Sequence, residues 1–187
     1  EVNTGSSLYS YYKTFHQVNP NDEDIIVWLD GDDWFSSVFV LQYLDQFYNS
    51  TKCWMTYGTY QTFPSGQDGS HHCIEIPNEI HQSNAYRKWV HVYSHLRTHK
   101  AFLFKQLKEK DLIDSRSGEF YTEATDCAYL FSLAEMCGSS EKIKLIDDIL
   151  LTLNRTNPNQ AAGNLEKQKD TEAHIRSLQP FNKIQNG

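Results

Sequence analysis

This sequence predicts an α/β fold, a mostly parallel central sheet flanked by helices, on three observations. Residues 25–29, Ile-Ile-Val-Trp-Leu, are apolar without alternation, the pattern of a short strand covered on both faces. Beyond them Val38, Leu41, Leu44, Phe47 and Tyr48 recur at helical spacing, and Cys-Trp-Met-Thr-Tyr at 53–57 reads as the next strand. Strand, helix and strand in that order form a crossover, expected to be right-handed and to pair its strands in parallel. With 187 residues the chain is one domain's worth, long enough to bury a core.

The first strand runs into Asp30-Gly31-Asp32-Asp33. Gly31 is read as letting the chain turn sharply past the strand's carboxyl end, where open α/β sheets bind their ligands. Three like charges so close repel one another unless a cation or protonation compensates. A hard divalent ion, Mn²⁺ or Mg²⁺, is the natural compensation, and such ions bridge carboxylates to phosphates. The alternative is an acidic surface turn in which Asp33 or Ser36 caps the next helix.

The other elements follow in order. Asn3, Thr4, Ser6 and Ser7 offer caps for a helix over 8–18, whose Leu8, Tyr11, Tyr12, Phe15 and Val18 share one face. Asn19-Pro20 ends it, because proline lacks a donor and steers its predecessor out of the α region. Ser36 and Ser37 are expected to cap the crossover helix, and the strand over 53–57 should bring Tyr57 and Gly58 near the acidic rim. Residues 64–81 have loop chemistry, and their His71 and His72 are more simply loop residues than metal ligands. A short charged helix is expected over 103–112 and a turn over 115–119. A longer helix opens at 122–126 and closes at Gly138, and a strand covers 142–153. Residues 1–160 are read as one domain, and 161–187 as a polar, loosely attached tail with one exposed helix over 165–177.

Charge and composition exclude several classes. Seventeen basic against 24 acidic residues give a net charge of −7, so nothing draws the chain generally to nucleic acid or to an anionic membrane. Its apolar runs are too short for a membrane span. Four scattered cysteines with no CxxC pair suggest free buried thiols, which leans toward a reducing, cytoplasmic setting. Two sequon matches, at Asn49 and Asn154, carry little weight. Between 86 and 104, aromatic residues interleave with Arg87, His91, His95, Arg97 and His99. Such a run can grip nucleic acid, but in an acidic chain a pocket for one anionic or sugar ligand is more economical, with Arg97 available to hold a phosphate bidentately. Asp126 falls in the first turn of its helix, where the macrodipole favours an anion. It is either a dipole partner or a general base held ionised.

The run at 24–35, with Ser-His-Leu-Arg-Thr at 94–98 and the segments 123–136 and 151–159, resembles family 2 of the GT-A-fold glycosyltransferases, whose Rossmann-like domain binds nucleotide-diphospho-sugars. The resemblance implies Asp30 and Asp32 as ligands of Mn²⁺ or Mg²⁺, and Asp33 and Trp34 beside the sugar or acceptor. It implies Asp126 as catalytic base, with Glu123 second, and matches His95 and Arg97 to a His-Leu-Arg run of some relatives. The donor would be a nucleotide sugar and the acceptor a carbohydrate, lipid or protein hydroxyl, attacked with inversion. In that family a strand, helix and second strand that bind the nucleoside precede the acidic turn, so a partial domain is among the expectations. After Asn154, Asn157 and Asn159 stand where relatives often carry a His or Ser. Two other readings compete: a noncatalytic domain of the same kind that binds carbohydrate or a partner, and a haloacid-dehalogenase-like phosphatase. The phosphatase pattern wants Thr or Val where this chain has Trp34.

Overall fold

A computed structural model describes residues 5–69, 73–156 and 165–185. Asn3, Thr4, His71, His72, Asn157 and Asn159 lie outside the described residues. In chain order the elements are α1 (Ser7–Val18), β1 (Ile25–Trp28), β2 (Trp34–Phe35), α2 (Val40–Thr51), β3 (Met55–Phe63), α3 (Asn78–Ser83), β4 (Arg97–Lys100), α4 (Ala101–Lys105), β5 (Ile113–Asp114), β6 (Glu119–Phe120), α5 (Thr125–Cys137), β7 (Ile143–Asn154) and α6 (Leu165–Ser177).

The fold is α/β, but the five-stranded sheet, in the order β1-β4-β3-β7-β2, is mixed where a mostly parallel one was expected. Among the described strands only β3 and β7 pair in parallel, while β4 runs antiparallel to both its neighbours and β2 antiparallel to β7. The crossover strands β1 and β3 do point the same way, yet they do not touch, because β4 lies between them. Arg-Thr-His-Lys is a poor strand by hydrophobicity, and β4 is held by polar contacts instead. The Thr98 hydroxyl bonds Thr56 at 2.5 Å and Tyr48 at 2.9 Å. Trp28 donates its indole N–H to Nε2 of His99, whose Nδ1 faces the Lys100 carbonyl at 3.0 Å. Burial pushes His99 down to about 4, so it is a neutral, satisfied core histidine.

With one strand neighbour, β1 is half-buried along its length and not covered on both faces. The acidic turn leads into the short strand β2, so Ser36 and Ser37 do not cap a helix from Val38. Ser36 donates to the Ile149 carbonyl, Val38 is exposed, and α2 begins at Val40 with Val40, Leu44 and Tyr48 buried at four-residue spacing. Ser6 does cap α1, its hydroxyl accepting from Tyr9 N–H at 3.2 Å and donating to the Tyr121 carbonyl at 2.7 Å. The segment expected as one short helix over 103–112 divides into α4 and a 3₁₀ turn at Glu109–Leu112.

One apolar cluster gathers α1, α4 and α5, and a smaller one joins α2 to Leu96, Ile146, Leu150 and Leu151. In α5 eleven of 13 residues are buried, including Glu135 at 0% exposure. A buried carboxylate needs donors. Arg87 supplies Nε at 2.7 Å and Nη2 at 3.0 Å, and Phe181 N–H a third at 2.9 Å. The tail is therefore not loosely attached: Ile175 and Thr171 of α6 are buried, Arg87 donates to the Ile175 carbonyl, and Ile184 N–H bonds Met136. All four cysteines are free, three of them buried. No helix among the described residues is long and apolar enough to cross a membrane.

Removing one partner of a buried, hydrogen-bonded pair strands the other charge. Arg87→Met is expected to lower unfolding free energy by about 3–5 kcal/mol in urea titration, and Arg87→Met with Glu135→Leu to recover much of that loss.

Candidate functional site

Four elements bring chemistry to one rim: the carboxyl ends of β1 and β7, the loop entering β4, and the amino end of α5. Beside the acidic turn, the loop entering β4, α5 and the end of β7 enclose a cleft of about 520 Å³ whose lining includes Tyr60, His91, His95, Arg97, Asp126 and Arg155.

The acidic turn closes through Asp33 N–H to the Asp30 carbonyl at 3.1 Å. Gly31 is not the hinge expected of it: its φ lies outside the left-handed region and an added Cβ would meet open space. Asp33 Oδ1 accepts from Asn154 N–H at 2.9 Å, tying the turn to the end of β7, and Tyr11 donates its hydroxyl to Asp30 Oδ1 at 2.9 Å. Burial, then the like charges of Asp32 and Asp30, raise the Asp33 carboxyl above its usual range against the pull of the Asn154 amide. An added cation would relieve that strain.

The ligating atoms of Asp30, Asp33 and His95 lie within 4.8 Å of one another. Asp32, expected as the second ligand, is half-buried and outside this group. Burial, and then Arg97, push His95 down to about 3, leaving it neutral, the form that ligates metals. Two carboxylates and an imidazole fit Mn²⁺ better than Mg²⁺, which favours oxygen ligands throughout. His95 is held in place through β3. Gly58 N–H bonds the Ser94 carbonyl at 3.3 Å, and a Cβ on Gly58 would come within 3.3 Å of the His95 carbonyl and 3.1 Å of that of Ile146. Here close approach, not φ, favours glycine.

Arg97 is committed to protein groups. Its Nε donates to the Tyr93 carbonyl at 3.1 Å, and its Nη2 lies 3.2 Å from His95 Nε2 and 3.5 Å from Asp126 Oδ2. A guanidinium cannot accept, so His95 accepts at Nε2 and carries its proton on Nδ1. A cation taking either ring nitrogen competes with Arg97, and a bidentate phosphate grip would require Arg97 to release these partners.

Asp126 stands in the first turn of α5, as expected. Its Oδ1 accepts from Cys127 N–H at 2.9 Å, and its Oδ2 faces Arg97 and, at 3.7 Å, His91 Nε2. Burial would raise its pKa, but Arg97 first, with His91, the Cys127 amide and His95, outweighs burial and holds the carboxyl below the ordinary range. His91, Asp126 and Cys127 also approach one another within ligand distance. The positive charge of Arg97 and a thiol whose pKa burial pushes up make that group a poor cation site.

Trp34, 41% exposed, meets Phe63, 46% exposed, edge to face at 5.4 Å on strands flanking the end of β7. Tyr11, His91 and Arg155 are site residues that sequence reasoning did not assign. Tyr11 reads as one more member of an aromatic helix face, and Arg155 lies in a segment read as a strand's end. His91 had a signal, its place in the aromatic and basic run before β4. In comparisons with known proteins the chain matches no family model and no curated protein.

The pairing of Arg97 with Asp126 fixes a pH dependence. A carboxyl lowered in the folded state stabilises above its unfolded pKa, near 4, and loses that contribution as pH falls through the folded value. Arg97→Gln leaves burial to dominate Asp126. The variant is expected to be less stable by about 1–3 kcal/mol at pH 7, with the difference starting to shrink above pH ~4, where Asp126 already protonates in the variant, and closing as pH falls through the lowered wild-type value. Urea midpoints across pH 3–8 check it.

Proposed function

We propose that this chain is a metal-dependent glycosyltransferase domain, moving a sugar from a nucleotide-diphosphate donor to an acceptor hydroxyl with inversion. The observation that carries the reading is the meeting of Asp30, Asp33 and His95 beside a cleft whose wall holds an ionised Asp126. The sequence resemblance to GT-A enzymes supports it independently of that geometry.

In this reading Asp30, Asp33 and His95 hold a divalent ion, Mn²⁺ before Mg²⁺, which when bound supplies charge that stabilises the departing diphosphate. Arg155, exposed at the end of β7 and lining the same cleft, adds positive charge for the phosphates. Asp126 accepts the acceptor's hydroxyl proton as that oxygen attacks the anomeric carbon. Arg97 keeps Asp126 ionised and oriented, a positioning role in place of the phosphate grip anticipated from sequence. Trp34 and Phe63 offer an exposed aromatic ledge against which a pyranose ring can stack. A second reading, a noncatalytic carbohydrate-binding domain of this kind, is favoured by one observation: Arg97 already neutralises Asp126.

Calorimetric titration of UDP and of GDP, with and without Mn²⁺, tests the proposal. Metal-dependent binding of one nucleotide is expected, weakened at least about tenfold by Asp33→Asn and by His95→Gln and less by Asp32→Asn. Failure of both nucleotides to bind with Mn²⁺ present would overturn the reading.

A further inference from the structure

Behind Asp126 stands a histidine that the transfer chemistry above does not use. His91 lines the cleft, its Nε2 lies 3.7 Å from Asp126 Oδ2, and that nitrogen is buried without a hydrogen-bond partner among the described residues. Buried polar atoms are nearly always paired, so an imidazole nitrogen left bare and pointed at a carboxylate calls for an explanation. The ring is wedged edge to face against Tyr93 at 5.4 Å and Phe131 at 5.7 Å, which fixes its plane. A gap of 3.7 Å is slightly too long for a hydrogen bond, and a shift of about 1 Å by the carboxylate closes it.

We propose that His91 is the proton acceptor behind Asp126: the proton that Asp126 takes from the acceptor hydroxyl passes from Oδ2 to Nε2 of His91. This rests on the glycosyl-transfer reading. The acceptor oxygen forms its bond to the anomeric carbon while the bond from that carbon to the diphosphate oxygen breaks, the diphosphate leaving with the electron pair. The hydroxyl proton goes to Asp126 Oδ2 and on to His91 Nε2, restoring the carboxylate and leaving an imidazolium that discharges to solvent through the cleft.

A relay of this kind answers a difficulty in the site. Arg97 holds Asp126 ionised by making it a weak base, so a proton placed on Oδ2 is unstable there and needs an exit. His91 is neutral at rest, burial lowering its pKa. The charged groups acting on it are Asp126 from α5, Arg97 from β4, and Glu172 and Arg176 from α6, two of each sign. Once protonated, the imidazolium stands among two carboxylates and two guanidiniums, which favours passing its proton on to solvent.

The test uses the full chain and reads nucleotide diphosphate released from UDP-glucose, UDP-N-acetylglucosamine and GDP-mannose with Mn²⁺, water or added glycosides serving as acceptor. His91→Gln is expected to lower kcat about 100-fold with the donor KM and Mn²⁺-dependent nucleotide affinity unchanged. Added imidazole should restore part of the rate, and the restored rate should rise with pH as free imidazole deprotonates. Asp126→Asn should lose turnover without rescue. Near-UV circular dichroism confirms that each variant is folded, and His91→Asn serves in place of a Gln variant that is not. Normal kcat in a folded His91 variant, or a loss that imidazole does not relieve, would overturn the relay and leave the transfer reading intact. No turnover by the wild-type chain on any donor would overturn both.

Discussion

A guanidinium that is mostly enclosed by protein has to find acceptors for its donors, and Arg97 finds them in the parts of the chain that make the cleft. Tyr93 and His95 lie in the loop before β4, and Asp126 opens α5. Arg97 is itself the first residue of β4, placed opposite Trp28 by the β1 register. The sheet therefore sets where the charge stands, and the charge sets where the loop and the helix end stand. The close approach of Gly58 to the His95 carbonyl clamps the same loop from β3. Loss of Arg97 would consequently disturb the imidazole and the carboxylate together.

A second buried charge organises the other end of the molecule. α5 is apolar on nearly every side, which marks it as a central helix, yet it carries Glu135. Three donors converge on that carboxylate, two from Arg87 in the 3₁₀ turn Tyr86–Lys88 and one from the backbone of Phe181. Arg176 adds contacts of its own, donating to the carbonyls of Arg87 and Trp89 and lying over the Phe131 ring at 4.7 Å. A segment with few apolar anchors is thus docked by polar pairing. That docking puts Gln168 of α6 into the cleft lining beside Asp126 and Arg155.

These two charges explain which features could be read from the sequence. Elements with strong periodicity or a clear stop were legible: α1 with its Ser6 cap, α5 with Gly138 at its end, β7, and α6 over its full span. The acidic turn and the place of Asp126 were legible too, since an apolar run ending in carboxylates and an acid in a first turn are local patterns. What was not legible depends on partners distant in the chain. Thr98 and His99 look like surface residues until Thr56, Tyr48 and Trp28 are brought to them, so β4 and the mixed sheet escaped notice. Ile175 alone does not announce a docked helix, because the demand for it comes from Glu135. Tyr11 reaches the site through geometry that no spacing rule contains, and the aromatic and basic run that holds His91 does not single it out.

Under the transfer reading the two corners of the cleft are not independent. His95 belongs to the candidate cation group, Asp126 to the proton-accepting group, and Arg97 touches both. A cation that takes the His95 ring displaces the guanidinium from one acceptor, and a buried guanidinium responds by leaning on those that remain, Asp126 among them. Asp126 is then held more firmly ionised as the donor site fills, which keeps it ready to receive a proton and makes it still less able to retain one. A site arranged in this way gains from a neighbour that accepts the proton onward, and His91 is the group that stands there with a nitrogen unused.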